Sequence, residues 1–312
     1  MKLQSIVLLM CISWIPCTAL AQNFTFSMEA HTGLVFGRAR EYVYEGGKRI
    51  SKLEWDENAV PYVHTAFNFA YKHFFISGAV KAAVPVRAGY MRDYDYLLPN
   101  SNALTNFSEH TAMLERHNVY DINTGYEFII GRLLLSPALG FAYASRKWAA
   151  QDGYYQYASG GAALHGDEPI RRVTGPVISY EQKISYLYID LRAGYILFNR
   201  LLIGAQFQFF PYVWAESMDH HILRETEFYD VMPGGMGILA GLTVEYKPAP
   251  SGNIAFITGF TFKKIFEKSG TIAQRATGLV NDPAYTQSTG NSSGADGGLW
   301  RVFLGVKLER AF

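Results

Sequence analysis

Cysteine is nearly absent. The 312 residues hold two, Cys11 and Cys17, and both fall in an N-terminal stretch laid out as a secretory signal: Lys2, an apolar run from Ile6 to Ile15, then Ala19-Leu20-Ala21. This layout predicts a signal peptide over residues 1–21, cleaved before Gln22. The bulky Trp14-Ile15-Pro16 ahead of Cys17 does not suit lipoprotein processing. The mature chain then has no thiol, which excludes disulfides, cysteine nucleophiles and thiolate metal sites. No later apolar run reaches the length of a transmembrane helix, so a helical membrane protein is not expected. The formal net charge is only +1 and no basic block occurs, which argues against nucleic acid as a partner. No Pro/Ser-rich linker or composition break interrupts residues 22–312, so they read as one domain.

Aromatic residues are plentiful at 15%, with 21 Tyr and 21 Phe. Ten segments alternate apolar and other residues at period two, each long enough to cross an outer membrane as a strand. They begin near Phe24 and lie at about 52–71, 73–92, 117–130, 133–157, 173–198, 201–221, 227–247, 253–277 and 299–312. In the first, Phe24, Phe26, Met28, Leu34 and Phe36 share one face, whereas Glu29, His31, Gly33 and Glu41 share the other. Connections alternate in length. Lys72, Gly131-Arg132, Asn199-Arg200 and 248–251 are tight, while 93–116, 151–172, 219–226 and 270–296 are long. An even count of strands, aromatic girdles and alternating turns predict an all-β fold, a ten-stranded antiparallel transmembrane β-barrel with an extracellular extension. Short turns belong on the periplasmic side, which puts the ends of the third and seventh segments at the outer rim.

Those two ends carry the chemistry. The third ends on Tyr90-Met91-Arg92-Asp93-Tyr94-Asp95-Tyr96, and residues at i and i+2 of an extended chain share a face. Asp93 and Asp95 fall on the parity of Ser77, Lys81 and Arg87, facing away from lipid. Paired carboxylates resist double ionisation and hold a proton or a water between them. The seventh ends on Asp219-His220-His221, where Asp219 stands beside His221, an arrangement that orients an imidazole and raises its pKa for general-base work. Gln206, Gln208 and Trp214 put even residues inward, so odd Asp219 and His221 require a bulge after Glu216.

At this point the residues resemble a known family, the omptins, outer-membrane endopeptidases built as ten-stranded barrels. Gly37-Arg38-Ala39-Arg40-Glu41-Tyr42-Val43-Tyr44, with Gly46-Gly47 and Leu53-Glu54-Trp55, is similar to the family's first hairpin. Asp93-Tyr94-Asp95 is similar to its Asp-x-Asp. Thr105-Asn106-Phe107-Ser108-Glu109-His110 resembles its Thr-Asp-x-Ser-x-His loop, with asparagine in place of aspartate. Ser145-Arg146, Tyr180-Glu181-Gln182-Lys183, and Trp214-Ala215-Glu216-Ser217 with Asp219-His220-His221 resemble later strands. The resemblance implies that Asp219 and His221 activate a water and that Asp93 and Asp95 position it. It also implies that Glu41 adds negative charge to a pocket for a basic side chain. Lipopolysaccharide is implied as an activator held on the outer wall by Lys183 and Arg146, with Lys147 an alternative to Arg146 on parity. No other cofactor is implied, and a monomer is expected. One departure stands out: family members carry two more residues before the histidine, including an acid of the specificity pocket. An ungapped alignment would place Asp219 on that acid and Leu223 on the histidine; a gapped one keeps Asp-x-His intact.

Two rival readings remain open from the sequence. A non-enzymatic outer-membrane barrel, an adhesin or small pore, would use the rim charges only for solvation. A metal-dependent hydrolase is suggested by His220 and His221 near carboxylates, although no HExxH spacing occurs.

Overall fold

The computed structural model describes residues 24–160, 162–249, 251–277, 284–287 and 292–311. The signal segment expected over 1–21 and the terminal Phe312 lie outside these. The strands are β1 (Phe24–Glu45), β2 (Lys48–Tyr71), β3 (Phe74–Ala83), β4 (Val86–Asp95), β5 (Asn106–Tyr126), β6 (Phe128–Ile130), β7 (Leu133–Tyr157), β8 (Arg171–Leu197), β9 (Leu201–His221), β10 (Thr226–Tyr246), β11 (Ile254–Ala276), β12 (Thr286–Gln287) and β13 (Ser293–Ala311). A 3-10 turn, Ile222–Arg224, links β9 to β10. No described helix is long and apolar enough to cross a membrane.

Every ladder is antiparallel. The pairings run from β1 to β2, through β3 and β4 side by side to β5, then through β7, β8, β9, β10 and β11 to β13. β13 pairs in turn with β1, from Thr25↔Ala311 to Val43↔Ser293, so the succession of ladders returns to its start and leaves no long free edge among the described residues.

The expected third segment is split. Val84 and Pro85 leave the ladder, because proline has no N–H to give a neighbouring strand, while the Val84 N–H bonds to Pro61 O at 2.9 Å. β2, β5 and β13 also begin earlier than hydropathy suggests. Only residues 96–105 separate β4 from β5, where a connection over 93–116 is expected. In the first half of β5, burial alternates without apolar alternation: Ser108, His110, Ala112 and Leu114 are buried between the more open Glu109, Thr111, Met113 and Glu115. Both faces there mix polar and apolar residues, so the period-two signal disappears although the ladder continues.

Two zones follow along the strands. In the lower one, outward positions are large and apolar, among them Phe74, Leu139, Leu187 and Leu304, a continuous exposed surface that demands a nonpolar surrounding. In the upper one, outward positions carry ion pairs such as Arg92–Glu109 at 2.8 Å and Arg38–Glu54 at 2.7 Å. Inside the upper zone sits an aromatic core. Trp55 stacks on Tyr180 with centroids 5.5 Å apart, and Trp148 lies 5.8 Å from the same ring. All three are fully buried beside Leu53, Met91 and Leu114. Each such ring removes roughly 150–250 Å² from water, about 4–6 kcal/mol of gross burial.

Candidate active site

The upper ends of β1, β4, β8, β9 and β10 converge on one side of this aromatic core. Asp93 reaches it because β4 changes parity twice. The break at Pro85 turns Ala88 inward and Arg87 outward, against the expectation that Arg87 shares the inner face. A register shift between Arg87 and Gly89 then restores the odd positions, so Met91 and Asp93 are buried. Gly89 takes φ +123°, and a Cβ there would lie 2.7 Å from Asn58 Nδ2 and 2.8 Å from Asp56 Cβ, so the bulge needs glycine.

β9 also needs its bulge, at a different place from the one expected. Leu187↔Tyr212 is followed by Ile189↔Phe209, and Gly235↔Val213 by Gly237↔Phe210: one extra residue at Pro211-Tyr212. An extra residue reverses every side chain beyond it. Trp214 therefore faces out, where its Nε1 donates to Glu216 Oε1 at 3.0 Å, a correction to the inward placement inferred from parity. Ser217, Asp219 and His221 are buried.

His221 Nε2 lies 2.7 Å from Asp219 Oδ2, and the Phe228 ring packs nearly perpendicular to the imidazole with centroids 5.3 Å apart. His221 is 9% exposed, whereas Leu223, the candidate in an ungapped alignment, is 61% exposed. Burial acts to lower the imidazole pKa, but Asp219 and then Asp93 offset it, and the net shift is upward from 6.5. Asp93 is buried and accepts from Ser51 Oγ at 3.2 Å. Burial and the adjacent Asp95 raise its pKa to about 7, against the opposing pull of His221 and Arg224. Asp95 accepts from Asn106 Nδ2 at 3.1 Å, so the asparagine of the Thr-Asn-x-Ser-x-His stretch donates a proton where an aspartate would first have to bind one. His220 points elsewhere, 3.2 Å from Thr277 Oγ1.

Glu41 is buried beside Asp219 and Asp230, and burial with those two charges raises its pKa well above the usual range. Asp230 is missed by hydropathy reading. It is fully buried, accepts from Ser217 Oγ at 3.2 Å, and is the register partner of Ser217. Its pKa rises to about 7, by burial first, with Asp219 adding to the shift. Glu41 and Asp230 share a side-chain hydrogen bond, which two carboxyl groups form only when one of them holds a proton, and Asp219 Oδ1 is buried beside them without a hydrogen-bond partner. Three such groups in one place require a proton or a cation.

Lys183 faces outward with half its side chain exposed, 3.5 Å from Glu181. Arg146 does not join it. It is 3% exposed, turned inward 3.8 Å from Glu57, and so cannot reach a phosphate on the outer wall; Lys147, on the opposite parity, is half-buried and pairs with Glu115 at 2.8 Å. Among the described residues the one constellation of metal-ligating type is Glu29, His31 and His64, away from His220 and His221.

An all-β fold whose ladders close on themselves, carrying a histidine among buried carboxylates at one end, defines the class. The Omptin family model matches residues 22–309, and the chain belongs to the omptin family. It is similar to outer membrane protease OmpP of Escherichia coli K12, 26% identical over 215 residues covering 65% of this chain and 66% of that one. Protease 7 of the same strain is 27% identical over 207 residues, 61% of each chain. The aligned stretches thus cover just under two thirds of these relatives. The crystal structure of the outer membrane protease OmpT from Escherichia coli superposes with a TM-score of 0.82 at 19% identity, over 92% of this chain and 97% of that one, a likeness of fold.

Proposed function

We propose that the chain is an outer-membrane endopeptidase that cleaves extracellular peptides and proteins beside basic residues through a water activated by Asp219 and His221. The observation that carries this reading is the 2.7 Å contact between His221 and Asp219, buried and under the field of Asp93. The lower zone spans the membrane as a ten-stranded barrel, since exposed apolar side chains around closed ladders suit lipid and the antiparallel ladders pair the backbone from strand to strand. The upper zone projects on the extracellular side. A single copy supplies every residue invoked, which favours a monomer.

Asp219 holds Nε2, leaving Nδ1 to take a proton from a water between His221 and Asp93. The water oxygen attacks the peptide carbonyl carbon; as the C–N bond breaks, the proton passes to the leaving amine. Asp93 and Asp95 share the position of that water, and Glu41 with Asp230 receives the basic side chain.

The base must be neutral to act, and its pKa is raised. Activity is therefore expected to be low at acidic pH and to climb with pH through a midpoint above 6.5. Asp219→Asn removes the largest upward pull, so the midpoint of the kcat/KM profile moves down while the plateau falls. A profile whose midpoint is unchanged in Asp219→Asn would remove His221 from the role of base.

Lipopolysaccharide is proposed as an activator bound through Lys183, which stands outside just above the apolar zone. Lys183→Glu reverses a charge worth about 1 kcal/mol per unit near an anionic surface. The lipopolysaccharide concentration for half-maximal activity is expected to rise roughly tenfold or more, with normal heat-modifiable gel mobility. An unchanged requirement would leave Lys183 as an ordinary interfacial lysine.

A further inference from the structure

A second constellation lies in the lower zone, where the proposed proteolysis assigns no role. Glu29 and His31 stand two apart on β1 and share its inner face. His64 on β2 is the direct cross-strand partner of His31. The two imidazoles stack with centroids 4.1 Å apart and 14° between planes, and Phe303 covers the other side of His31 at 4.4 Å. Gly305 of β13, opposite His31 in register, makes the room: a Cβ there would lie 2.3 Å from His31 Cβ. Glu29 Oε1 lies 2.9 Å from His31 Nδ1, and one ligand atom from each of the three residues falls within 4.8 Å of the others. His64 Nδ1 is buried without a hydrogen-bond partner. Glu41 is twelve residues further up β1, about 40 Å along an extended strand, so this place is separate from the acidic site above.

We propose that Glu29, His31 and His64 form a binding site for one divalent transition-metal ion of the copper(II) and zinc class. Two imidazole nitrogens and one carboxylate are the donor set such ions prefer, and they leave a position for water. The buried Nδ1 of His64 is the unsatisfied nitrogen that a metal would complete. On binding, the proton shared by His31 and Glu29 leaves as the metal takes its place. Tetrahedral coordination draws ligand atoms to about 3.3 Å apart, within reach of side-chain rotation. Glu29 keeps a quarter of its side chain exposed, which gives an ion a way in from the interior.

The surrounding charges select among ions. Lys307 bonds Glu245 Oε2 at 3.1 Å, Arg301 bonds Thr261 Oγ1 at 2.8 Å, and Lys81 lies over the Tyr62 ring. With these cations close, a single carboxylate holds calcium or magnesium poorly, because those ions depend on charged oxygens. Ions that bind imidazole nitrogen suffer less.

The test is titration of tag-free, refolded protein in detergent with copper(II), followed by electron paramagnetic resonance, and with zinc by calorimetry. One equivalent is expected, with copper showing coupling to two nitrogens and no competition from excess calcium. His31→Ala and His64→Ala should each weaken binding at least tenfold and remove the two-nitrogen signature. Glu29→Gln should weaken it while leaving that signature. His221→Ala should leave stoichiometry and spectrum as they are, which separates this site from the upper one. Gel mobility checks the fold, and His64→Gln replaces any alanine variant that does not refold. No bound metal, or an unchanged spectrum and stoichiometry in the His31→Ala/His64→Ala double variant, would overturn the proposal.

Discussion

His221→Ala is expected to lower kcat/KM for a peptide with an internal arginine or lysine by roughly 10²–10⁴, whereas His220→Ala stays within a few-fold of the parent. The two imidazoles are neighbours in sequence and differ in everything that matters for proton transfer. His221 is buried, held by Asp219 and faced by Asp93. His220 lies on the other side of the strand, with Thr277 Oγ1 3.2 Å from its Nε2. Asp93→Ala should match His221→Ala, since it removes the carboxylate on the far side of the water and leaves the imidazole with one partner. The assay is initial rates in the presence of lipopolysaccharide, with heat-modifiable mobility showing that each variant folds. Near-parental rates in both histidine variants would sink the dyad. A parent without any activity would favour the adhesin or pore reading of the same fold.

How much of this was legible in the sequence depended on where the polypeptide changes phase. In the lower zone apolar residues alternate cleanly, because one face meets a nonpolar surrounding and the other a polar interior, so those stretches of the strands could be read directly. In the upper zone both faces are mixed, and β5 was expected to begin at about 117 rather than Asn106. The site sits beyond that change, and parity extrapolated from below fails at each bulge. Asp93 faces inward, as its parity suggests, because two phase changes in β4 cancel. Asp219 and His221 were recognised as a pair, yet the reversal that turns them inward occurs at Pro211-Tyr212 rather than after Glu216. Asp230 was missed for the same reason. Gly235, Gly237 and Leu239 face inward below the Pro233-Gly234 irregularity, and only beyond it do Met232 and Asp230 turn in. Proline stands at three of these four phase changes, Pro85, Pro211 and Pro233, and the fourth is the Gly89 bulge. A proline inside a strand pattern therefore carried the missing information: it removes a ladder donor and is tolerated where a bulge has already opened the ladder.

The second large effect is expected from Asp230 together with Glu41. Both are buried next to Asp219 and share a hydrogen bond with each other. Their pKa values are raised because burial, with the charge of Asp219 beside both, makes their ionised forms costly. A guanidinium or ammonium entering the cluster relieves that cost and pairs with desolvated oxygens. Removing one member of such a pair typically costs 2–5 kcal/mol, a factor of roughly 30 to several thousand in kcat/KM. Asp230→Asn and Glu41→Gln keep the size of each side chain, and Ser217 can still hydrogen-bond to the new amide. Each is therefore expected to lose at least tenfold on an arginine peptide, and the double variant more, while cleavage of a matched peptide with a neutral residue at that position stays the same or improves. Selectivity is the deciding quantity, because a damaged dyad would slow both peptides alike. An equal loss on the two would mean that Asp230 acts by holding β9 and β10 in register through Ser217, and the pocket for the basic side chain would have to be sought elsewhere on the rim.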